Sequence, residues 1–227
     1  EGTTVRVESS GKVAVRTGAA SQGQGHHTMI AMLVAENLGV SPEDIMFESA
    51  DTSKFPHGVG TIGSRVAANV GPSAFDAAKK VREKALKLAA EVLEASEADL
   101  DIEDGVVRVN GAPDLSITLG ELAIQLSPAS ALRVPAGFDP LLEATSYDGS
   151  SGSPIACGSN VAEVEVDPGT GEVKVLHYSV AHDCGVMINP MVVHGQIVGG
   201  VVHGIGNALF ERMIYDDQGQ PLTMNYG

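Results

Sequence analysis

Hydrophobic and polar residues alternate near the start of the chain in the pattern of two short strands. Residues 4–8 and 12–16 flank a Ser-Ser-Gly turn, and this arrangement predicts a β-hairpin. Apolar residues then recur at helical spacing over residues 29–38, and Gly39 supplies a helix stop. Residues 45–48 have the composition of a further strand.

The longest periodic segment predicts a helix over residues 73–95, where apolar residues step by three and four and charged residues lie opposite. Residues 106–109 precede an Asn-Gly turn, which predicts a hairpin strand. Thr118 and Glu121 have the spacing of a capping box, so a short helix is predicted to begin there.

The second half of the chain is predicted to contain another hairpin and a glycine-rich helix. Residues 161–166 and 172–180 flank an Asp-Pro-Gly-Thr-Gly turn that is typical of hairpins. The helix follows Pro190, and residues 212–219 are predicted to form a last hairpin. Because strands and helices are mixed without a regular βαβ repeat, the predicted fold class is α+β, with mixed sheets, packed helices and two lobes.

A change in composition divides the chain into three predicted parts. Residues 127–158 are rich in Pro, Ser and Gly, and we interpret them as a crossover between the two lobes. The first lobe then comprises residues 1–126, and residues 159–227 begin the second lobe.

The charge and cysteine content argue against several functions. Lys and Arg number 14 against 29 Asp and Glu in 227 residues, and this net charge of −15 disfavours a nucleic-acid partner. Cys157 and Cys184 lack Cys-x-x-Cys spacing, which excludes a cysteine-based zinc site or a four-cysteine iron–sulfur cluster. A disulfide between them is one alternative, and free thiols in a reducing cytoplasm are the expected state. No apolar run reaches the length of about 20 residues that spans a membrane, so no membrane span is predicted.

A glycine-rich segment directly before the first predicted helix is the strongest candidate for ligand binding. It runs from Gln22 to Thr28 and reads Gln-Gly-Gln-Gly-His-His-Thr. Free N–H groups at a helix start bind anions, glycine lets a ligand approach the backbone, and Gln and His add neutral donors. The alternative is a polar loop that only caps the helix. Because His26 and His27 point in divergent directions on a helix, a zinc site is not predicted.

Residues 58–63 match the Gly-x-Gly-x-x-Gly pattern, so a nicotinamide-dependent dehydrogenase is a rival interpretation. The dinucleotide-binding pattern requires a strand directly before it, whereas here a loop containing Pro56 precedes it. We therefore interpret this match as coincidental. The following Ser64 and Arg65 suit a phosphate group, and an ordinary surface cation is the alternative for Arg65.

A second glycine-rich region lies between residues 182 and 209. Glycine costs a helix about 1 kcal/mol relative to alanine, so its repetition indicates either ligand approach or close helix packing. Gly195 and Gln196 are the candidates for ligand contact. Like Gln22 and Gly23, they are predicted to open a helix, which suggests two related lobes around one ligand.

Taken together, these segments resemble the molybdenum hydroxylases, the family of xanthine dehydrogenase, aldehyde oxidoreductase and aerobic carbon monoxide dehydrogenase. Each motif is weak alone, but the ordered set extends from Gly18 to Tyr226 and is specific. The motifs are Gly23-Gln24-Gly25-His26 with Thr28, Gly63-Ser64-Arg65, Asp183-Cys184-Gly185, Ile188-Asn189-Pro190, Gly195-Gln196, Gly199-Gly200 and Gly204-Ile205-Gly206.

The resemblance implies a molybdopterin cofactor with molybdenum, in the cytosine dinucleotide form that is usual in bacteria. It implies that the first Gln-Gly segment lies beside the metal and the pterin. Residues 51–52 and 63–65 would hold the pterin or pyrophosphate, and two residues of the second region would contact the dinucleotide end. The residues implicated are Gln22, Gly23, Gln24, Gly25, His26, Thr28, Asp51, Thr52, Gly63, Ser64, Arg65, Asn189 and Gln196. No protein side chain is expected to ligate a metal.

The resemblance also implies an activity and partners. Members of the family hydroxylate an aldehyde, a purine or an N-heterocycle with water as the oxygen source, and a glutamate acts as general base. The electrons leave through iron–sulfur clusters to FAD on partner subunits. The remaining segments of the large subunit complete the pocket for the small-molecule substrate.

The catalytic glutamate of the family lies in a Gly-Glu-Gly segment beyond the last strand of this chain. Glu121 and Glu172 also follow glycine, but they are predicted in a helix cap and a hairpin turn. We therefore expect no catalytic residue in this chain and no hydroxylase activity from it alone, as for an excised domain or half of a split subunit. The alternative is a non-catalytic cofactor-binding or scaffold domain.

Overall fold

The computed structural model describes residues 1–127, 134–149 and 155–223, and the chain forms two compact units. The first unit spans Glu1–Pro154, and the second spans Ile155–Gly227. Within the described residues, no helix combines the length and the apolar character needed to span a bilayer.

The first unit contains two sheets and three α-helices within its described residues. Its strands are β1 (Gly2–Val7), β2 (Val13–Thr17), β3 (Ile45–Ser49), β4 (Leu100–Glu103), β5 (Val106–Val109), β6 (Ala112–Thr118) and β7 (Glu143–Tyr147). Its helices are α1 (His26–Leu38), α2 (Val66–Leu93) and α3 (Leu119–Gln125). The strand orders are β3-β2-β1-β7 and β4-β5-β6. β7 lies inside the segment that we interpret as a crossover, and it pairs antiparallel with β1.

One parallel pair in the first sheet brings two long loops to the same edge. β1 and β2 form the predicted hairpin, in which Val5 lies opposite Val15. β2 and β3 run parallel, with Thr17 opposite Ser49, and α1 lies in the connection between them. Because the carboxyl ends of parallel strands meet at one edge, the loops that follow β2 and β3 leave the sheet side by side.

The long helix α2 begins earlier than predicted because it continues through Pro72. The apolar periodicity predicts a helix start at residue 73, and proline is unfavourable further inside a helix because it lacks an N–H group and clashes with the Cβ of the preceding residue. The preceding residue is Gly71, which has no Cβ and therefore relieves part of this clash. Val66 and Val70 are 2% and 0% exposed, so burial of the first turns opposes the remaining cost.

The structure confirms two local sequence signals, the glycine that ends α1 and the capping box at the start of α3. Gly39 ends α1 with a φ of 59°, and its N–H donates to the carbonyl of Ala35. The predicted capping box is present: the N–H of Glu121 donates to the Thr118 hydroxyl at 3.1 Å, and the N–H of Thr118 donates to the Glu121 carboxylate at 2.9 Å. The sequence pattern missed β4, which is only four residues long.

The second unit contains the strands β8 (Cys157–Val166) and β9 (Val173–Asp183) and the helix α4 (Pro190–Leu209). β8 and β9 form the predicted antiparallel hairpin. In its turn, the N–H of Gly169 donates to the carboxylate of Asp167 at 2.7 Å, and such bonds hold the pKa of this carboxyl below its usual value. The α+β class is confirmed, because all described strand pairs except β2 with β3 are antiparallel.

One prediction in the second unit is wrong: Gly195 and Gln196 do not open a helix, because Asn189 is the N-cap of α4 and Pro190 is its first residue. The last predicted hairpin is present in a short form, with one antiparallel bridge between Tyr215 and Pro221 within the residues up to 223. The N–H of Leu222 donates to the carbonyl of Ile214 across it at 2.7 Å.

Candidate cofactor-binding loops

Two loops leave the carboxyl edge of the first sheet next to each other. The first loop comprises residues 18–25, between β2 and α1, and the second loop comprises residues 50–65, between β3 and α2. The N–H of Ala50 donates to the carbonyl of Thr17 at 3.3 Å, where both loops begin. All predicted cofactor-binding residues of the first unit lie in these loops or in the first turn of α1.

The two loops meet through their backbones at Gly18 and Gly58. A Cβ atom on either glycine would lie 2.6 Å from the Cα atom of the other, so the contact leaves no room for a side chain. Further along, the hydroxyl of Thr61 donates a hydrogen bond to the carbonyl oxygen of Ala20. The fold therefore brings together the two groups of residues that the sequence analysis selected in the first unit.

The first loop leads into an open helix start. Gly23 and Gly25 have φ angles of 100° and 79°, in the left-handed region that favours glycine. Gly25 is the N-cap of α1 and offers no side-chain cap, and the first turn contains no acidic residue. Oε1 of Gln24 accepts the N–H of Gln22 at 2.6 Å, so the loop uses the carbonyl half of this amide. The helix start and the amide NH2 are donors that suit an anionic or oxo-bearing ligand.

His26, the first residue of α1, is 7% exposed, and its Nδ1 is buried without a hydrogen-bond partner in the described chain. Burial lowers the pKa of His26, and a hydrogen bond with the backbone of Ala20 opposes this shift. Because burial disfavours the charged imidazole, His26 is neutral at pH 7.

Arg65 ends the second loop in a buried ion pair. Its guanidinium bonds to Oε1 of Glu1, whose side chain is 0% exposed, and the same oxygen accepts the N–H of Val59 at 3.0 Å. Nε of Arg65 and Oε2 of Glu1 are buried without partners among the described residues. This geometry makes Arg65 an anchor of the second loop rather than a free surface cation, and contact of its guanidinium with a phosphate group stays a prediction.

The other predicted residues of the second loop have exposed side chains. Gly63 and Ser64 have φ angles of 61° and 55°, in the left-handed region that is uncommon for a serine. Oδ1 of Asp51 accepts both the hydroxyl and the N–H of Ser53, at 2.6 and 3.0 Å. These bonds lower the pKa of Asp51, so its carboxylate is ionised and acts only as an acceptor. Thr52 is exposed beside it.

The two predicted residues of the second unit both belong to α4 or its cap. Oδ1 of Asn189 accepts the N–H of Val192 at 3.0 Å, so this side chain starts the helix. Gln196 is exposed within α4. The two cysteines of the chain are free and exposed.

Other ligand classes have little support in the geometry. The Gly-x-Gly-x-x-Gly match begins at Gly58, whereas β3 ends at Ser49, so no strand leads directly into it as a dinucleotide site requires. His27 stacks on Phe47 with ring centroids 5.5 Å apart, and thus diverges from His26. The described residues contain no group of three or more His, Cys, Asp or Glu that could hold a metal ion.

The whole chain, residues 1–227, matches the family model of the molybdopterin cofactor-binding domain. The chain belongs to this family. It is 41% identical to the nicotine 6-hydroxylase large subunit of Paenarthrobacter nicotinovorans, over 98% of the chain and 27% of that protein. It is 38% identical to the carbon monoxide dehydrogenase large chain of Hydrogenophaga pseudoflava, over 96% of the chain and 27% of that protein.

A solved structure gives the same result for the fold of this molybdopterin cofactor-binding domain. Quinoline 2-oxidoreductase from Pseudomonas putida 86 superposes with a TM-score of 0.82 at 42% identity, over 99% of this chain and 28% of that one. The family predicted from the sequence motifs is confirmed. The chain spans little more than a quarter of the length of these relatives, at 27% and 28%.

The residues of the two loops fit a molybdopterin cofactor. Gly23, Gly60 and Gly63 have left-handed φ angles, and nothing lies within 4 Å of the position that a Cβ would take, so a ligand can reach the backbone there. The uncapped start of α1 adds free backbone N–H groups that can bind the oxo and phosphate groups of the cofactor, and the buried Nδ1 of His26 adds one unpartnered polar atom beside them.

Sequence reasoning missed the contacts that join the loops, because each of them connects distant parts of the chain. Gly58 and Thr61 lie in the Gly-x-Gly-x-x-Gly match that was interpreted as coincidental. A glycine at the end of a strand is a weak hint for Gly18, and no local signal marks Glu1.

Proposed function

We propose that this chain forms the cofactor-binding part of the large subunit of a molybdenum hydroxylase, which hydroxylates an aldehyde, a purine or an N-heterocycle with water as the oxygen source. The observation that carries this proposal is the junction of two glycine-rich loops at one sheet edge, beside an uncapped helix start. Two relatives at 41% and 42% identity are named for nicotine and quinoline, which favours an aromatic N-heterocycle as the substrate.

The first loop is proposed to bind the molybdenum end of the cofactor. The backbone N–H groups of His26 and Thr28, together with those of the glycines, would donate to its oxo or phosphate groups. Gln22 and the NH2 group of Gln24 would add neutral donors. Neutral donors bind such groups without burying a cation, and this agrees with the absence of any charged residue between Arg16 and Glu36.

The second loop is proposed to hold the pterin and the phosphate groups. Gly63, Ser64 and Thr52 would supply backbone and hydroxyl donors. The ionised Asp51 would accept from N–H groups of the pterin, because a carboxylate repels phosphate. Arg65 would contribute chiefly by fixing the loop through Glu1.

In the second unit, Gln196 and Asn189 are proposed to serve the dinucleotide end of the cofactor. Gln196 has an exposed amide on α4, and Asn189 fixes the start of that helix through its cap. We further propose the cytosine dinucleotide form of the cofactor, which the family resemblance implies.

When bound, the cofactor supplies the two-electron redox chemistry of the hydroxylation. We propose that this chain holds and orients it and supplies no catalytic residue. Oε2 of Glu121 accepts two bonds from Thr118, at 2.9 and 2.7 Å, and Glu172 lies beside the turn between β8 and β9. Neither glutamate is a suitable general base, so the chain alone is proposed to be inactive.

The proposed partners are the remaining segments of the large subunit, an iron–sulfur subunit and an FAD subunit. The relatives are named as large subunits and chains, which supports an assembly of several polypeptides. In addition, α4 buries none of its residues, and Met191 and Val202 on it are 77% and 62% exposed. Apolar surface of this kind marks an interaction site. A cytoplasmic location remains part of the proposal.

The proposal is tested by measuring molybdenum and cytidine nucleotide per chain in the complete protein, purified from its native cells with its partners attached. We expect about one of each per chain. Absence of both metal and nucleotide despite intact partners would refute the proposal. Metal and nucleotide without hydroxylation of any aldehyde, purine or N-heterocycle would favour the non-catalytic cofactor-binding domain instead.

A further inference from the structure

One carbonyl group joins the two loops of the candidate site. The carbonyl oxygen of Ala20 accepts the hydroxyl of Thr61 in the second loop. Ala20 itself lies in the first loop. Two residues before it, Gly18 contacts Gly58 through the backbone.

We infer that Thr61 is a positioning residue that, through Ala20, fixes the first loop in the conformation that binds the cofactor. This inference rests on the proposed function. Thr61 does not need to touch the cofactor, because its hydroxyl acts on the loop that does.

The geometry explains why one hydroxyl has this effect. Gly23 and Gly25 leave the first loop with few conformational restraints of its own, because glycine populates both signs of φ readily. The loop is therefore held from outside, by the Gly18–Gly58 contact at one end and by the Ala20 carbonyl near its middle. Preorganised loops bind more tightly because less conformational entropy is lost on binding.

The Thr61 hydroxyl makes the one described side-chain hydrogen bond between the two loops. If this bond is removed, the loops stay joined near the sheet edge by the Gly18–Gly58 contact and by the bond from Ala50 to Thr17. The first loop then gains freedom between Ala20 and the start of α1.

The test uses the complete subunit with its partners and the variants Thr61→Val, Thr61→Ser and Thr4→Val. Thr61→Val keeps the shape and removes the hydroxyl, whereas Thr61→Ser keeps the hydroxyl. Thr4→Val is the matched control, because Thr4 makes a hydroxyl–hydroxyl bond of 2.7 Å with Thr145 between β1 and β7, in the same unit. The readouts are the release rate of pterin nucleotide and the hydrogen exchange of peptides covering residues 18–28.

We expect Thr61→Val to release the nucleotide about fivefold faster, the factor that corresponds to one hydrogen bond of about 1 kcal/mol. Exchange in residues 18–28 should also rise, although the substitution lies in the other loop. Thr61→Ser and Thr4→Val should match the wild type. Equal release and exchange in Thr61→Val and wild type would overturn the inference, as would equal acceleration in Thr61→Val and Thr4→Val.

The two proposals fail in different ways in this experiment. A wild-type protein without pterin nucleotide overturns the proposed function and this inference together. A wild-type protein with the nucleotide and an unaffected Thr61→Val variant overturns only the inference. If Thr61→Val does not accumulate, Thr61→Ala carries the same expectation in the exchange measurement.

Discussion

Replacement of Gly58 by alanine is expected to separate the two loops that form the candidate site. The new Cβ would lie 2.6 Å from the Cα, 2.9 Å from the carbonyl carbon and 3.0 Å from the oxygen of Gly18. All three atoms belong to the backbone, so no side chain can turn away to relieve the contact. Gly58 does not have a left-handed φ, so the substitution adds a steric cost without backbone strain.

Overpacking of this kind typically costs about 1–3 kcal/mol. With a urea dependence of about 2 kcal/mol per M, a cost of about 2 kcal/mol lowers the unfolding midpoint by about 1 M. If the loops shift to avoid the clash, part of the cost appears instead as weaker cofactor retention. Both quantities must therefore be measured, by circular dichroism during urea unfolding and by molybdenum per subunit in the complete protein.

Gly149→Ala is the matched control for Gly58→Ala. Gly149 lies in the same unit, has no left-handed φ, and nothing lies within 4 Å of the position of its Cβ. We expect this control to retain its molybdenum and to be neutral or slightly more stable, because alanine restricts the unfolded chain. If Gly58→Ala behaves like Gly149→Ala in both measurements, the reasoning about the loop junction is refuted.

Three further predictions concern the first unit, and urea unfolding of the chain measures each of them. Arg65→Met should cost about 3 kcal/mol because it leaves the Glu1 carboxylate buried and unpaired, and the double variant with Glu1→Gln should recover most of that loss. Pro72→Ala should stabilise the chain by about 1–3 kcal/mol, since it restores a backbone donor inside α2; an unchanged midpoint would contradict this. Because the folded state lowers the pKa of His26 below 6.5, its contribution is complete above that pH and is lost as the pH falls through the folded-state pKa. His26→Gln should reduce the loss of stability below about pH 6.5, and an unchanged pH dependence of the unfolding midpoint would contradict this.

The sequence predicted those elements of the fold whose structure is determined by residues within one short segment. The Gly39 stop of α1, the Thr118–Glu121 capping box and the turn between β8 and β9 each depend on residues within a few positions of one another. The start of α2 at Val66 was not predicted, because the burial of Val66 and Val70 that offsets the cost of Pro72 inside the helix is a tertiary effect.

The same contrast between local signals and long-range contacts applies to the residues of the candidate site. The glycines and donors of residues 22–28 were found because they directly precede a helix, which is a local pattern. The partners of Arg65 and Ala20 were not found, because Glu1 and Thr61 reach them across 64 and 41 positions of sequence. The role of Arg65 was therefore read as ligand contact or solvent exposure, whereas the structure assigns it an internal partner.

A substitution in the first turn of α1 can distinguish a ligand-binding loop from an ordinary helix cap. At a ligand-binding loop, a new acidic residue should raise the stability of the chain and lower its cofactor content. An acidic residue in the first turn normally stabilises a helix by about 0.3–1 kcal/mol, yet the first turn of α1 has none. Thr28→Asp should therefore raise the stability of the chain by about 0.5 kcal/mol and at the same time lower the molybdenum content of the complete protein, because the new carboxylate repels an anionic ligand. Thr28→Asn, which can cap without charge, should leave the molybdenum content closer to wild type. If Thr28→Asp gains stability and keeps its molybdenum, the helix start is only a cap, and the cofactor must bind elsewhere on the chain.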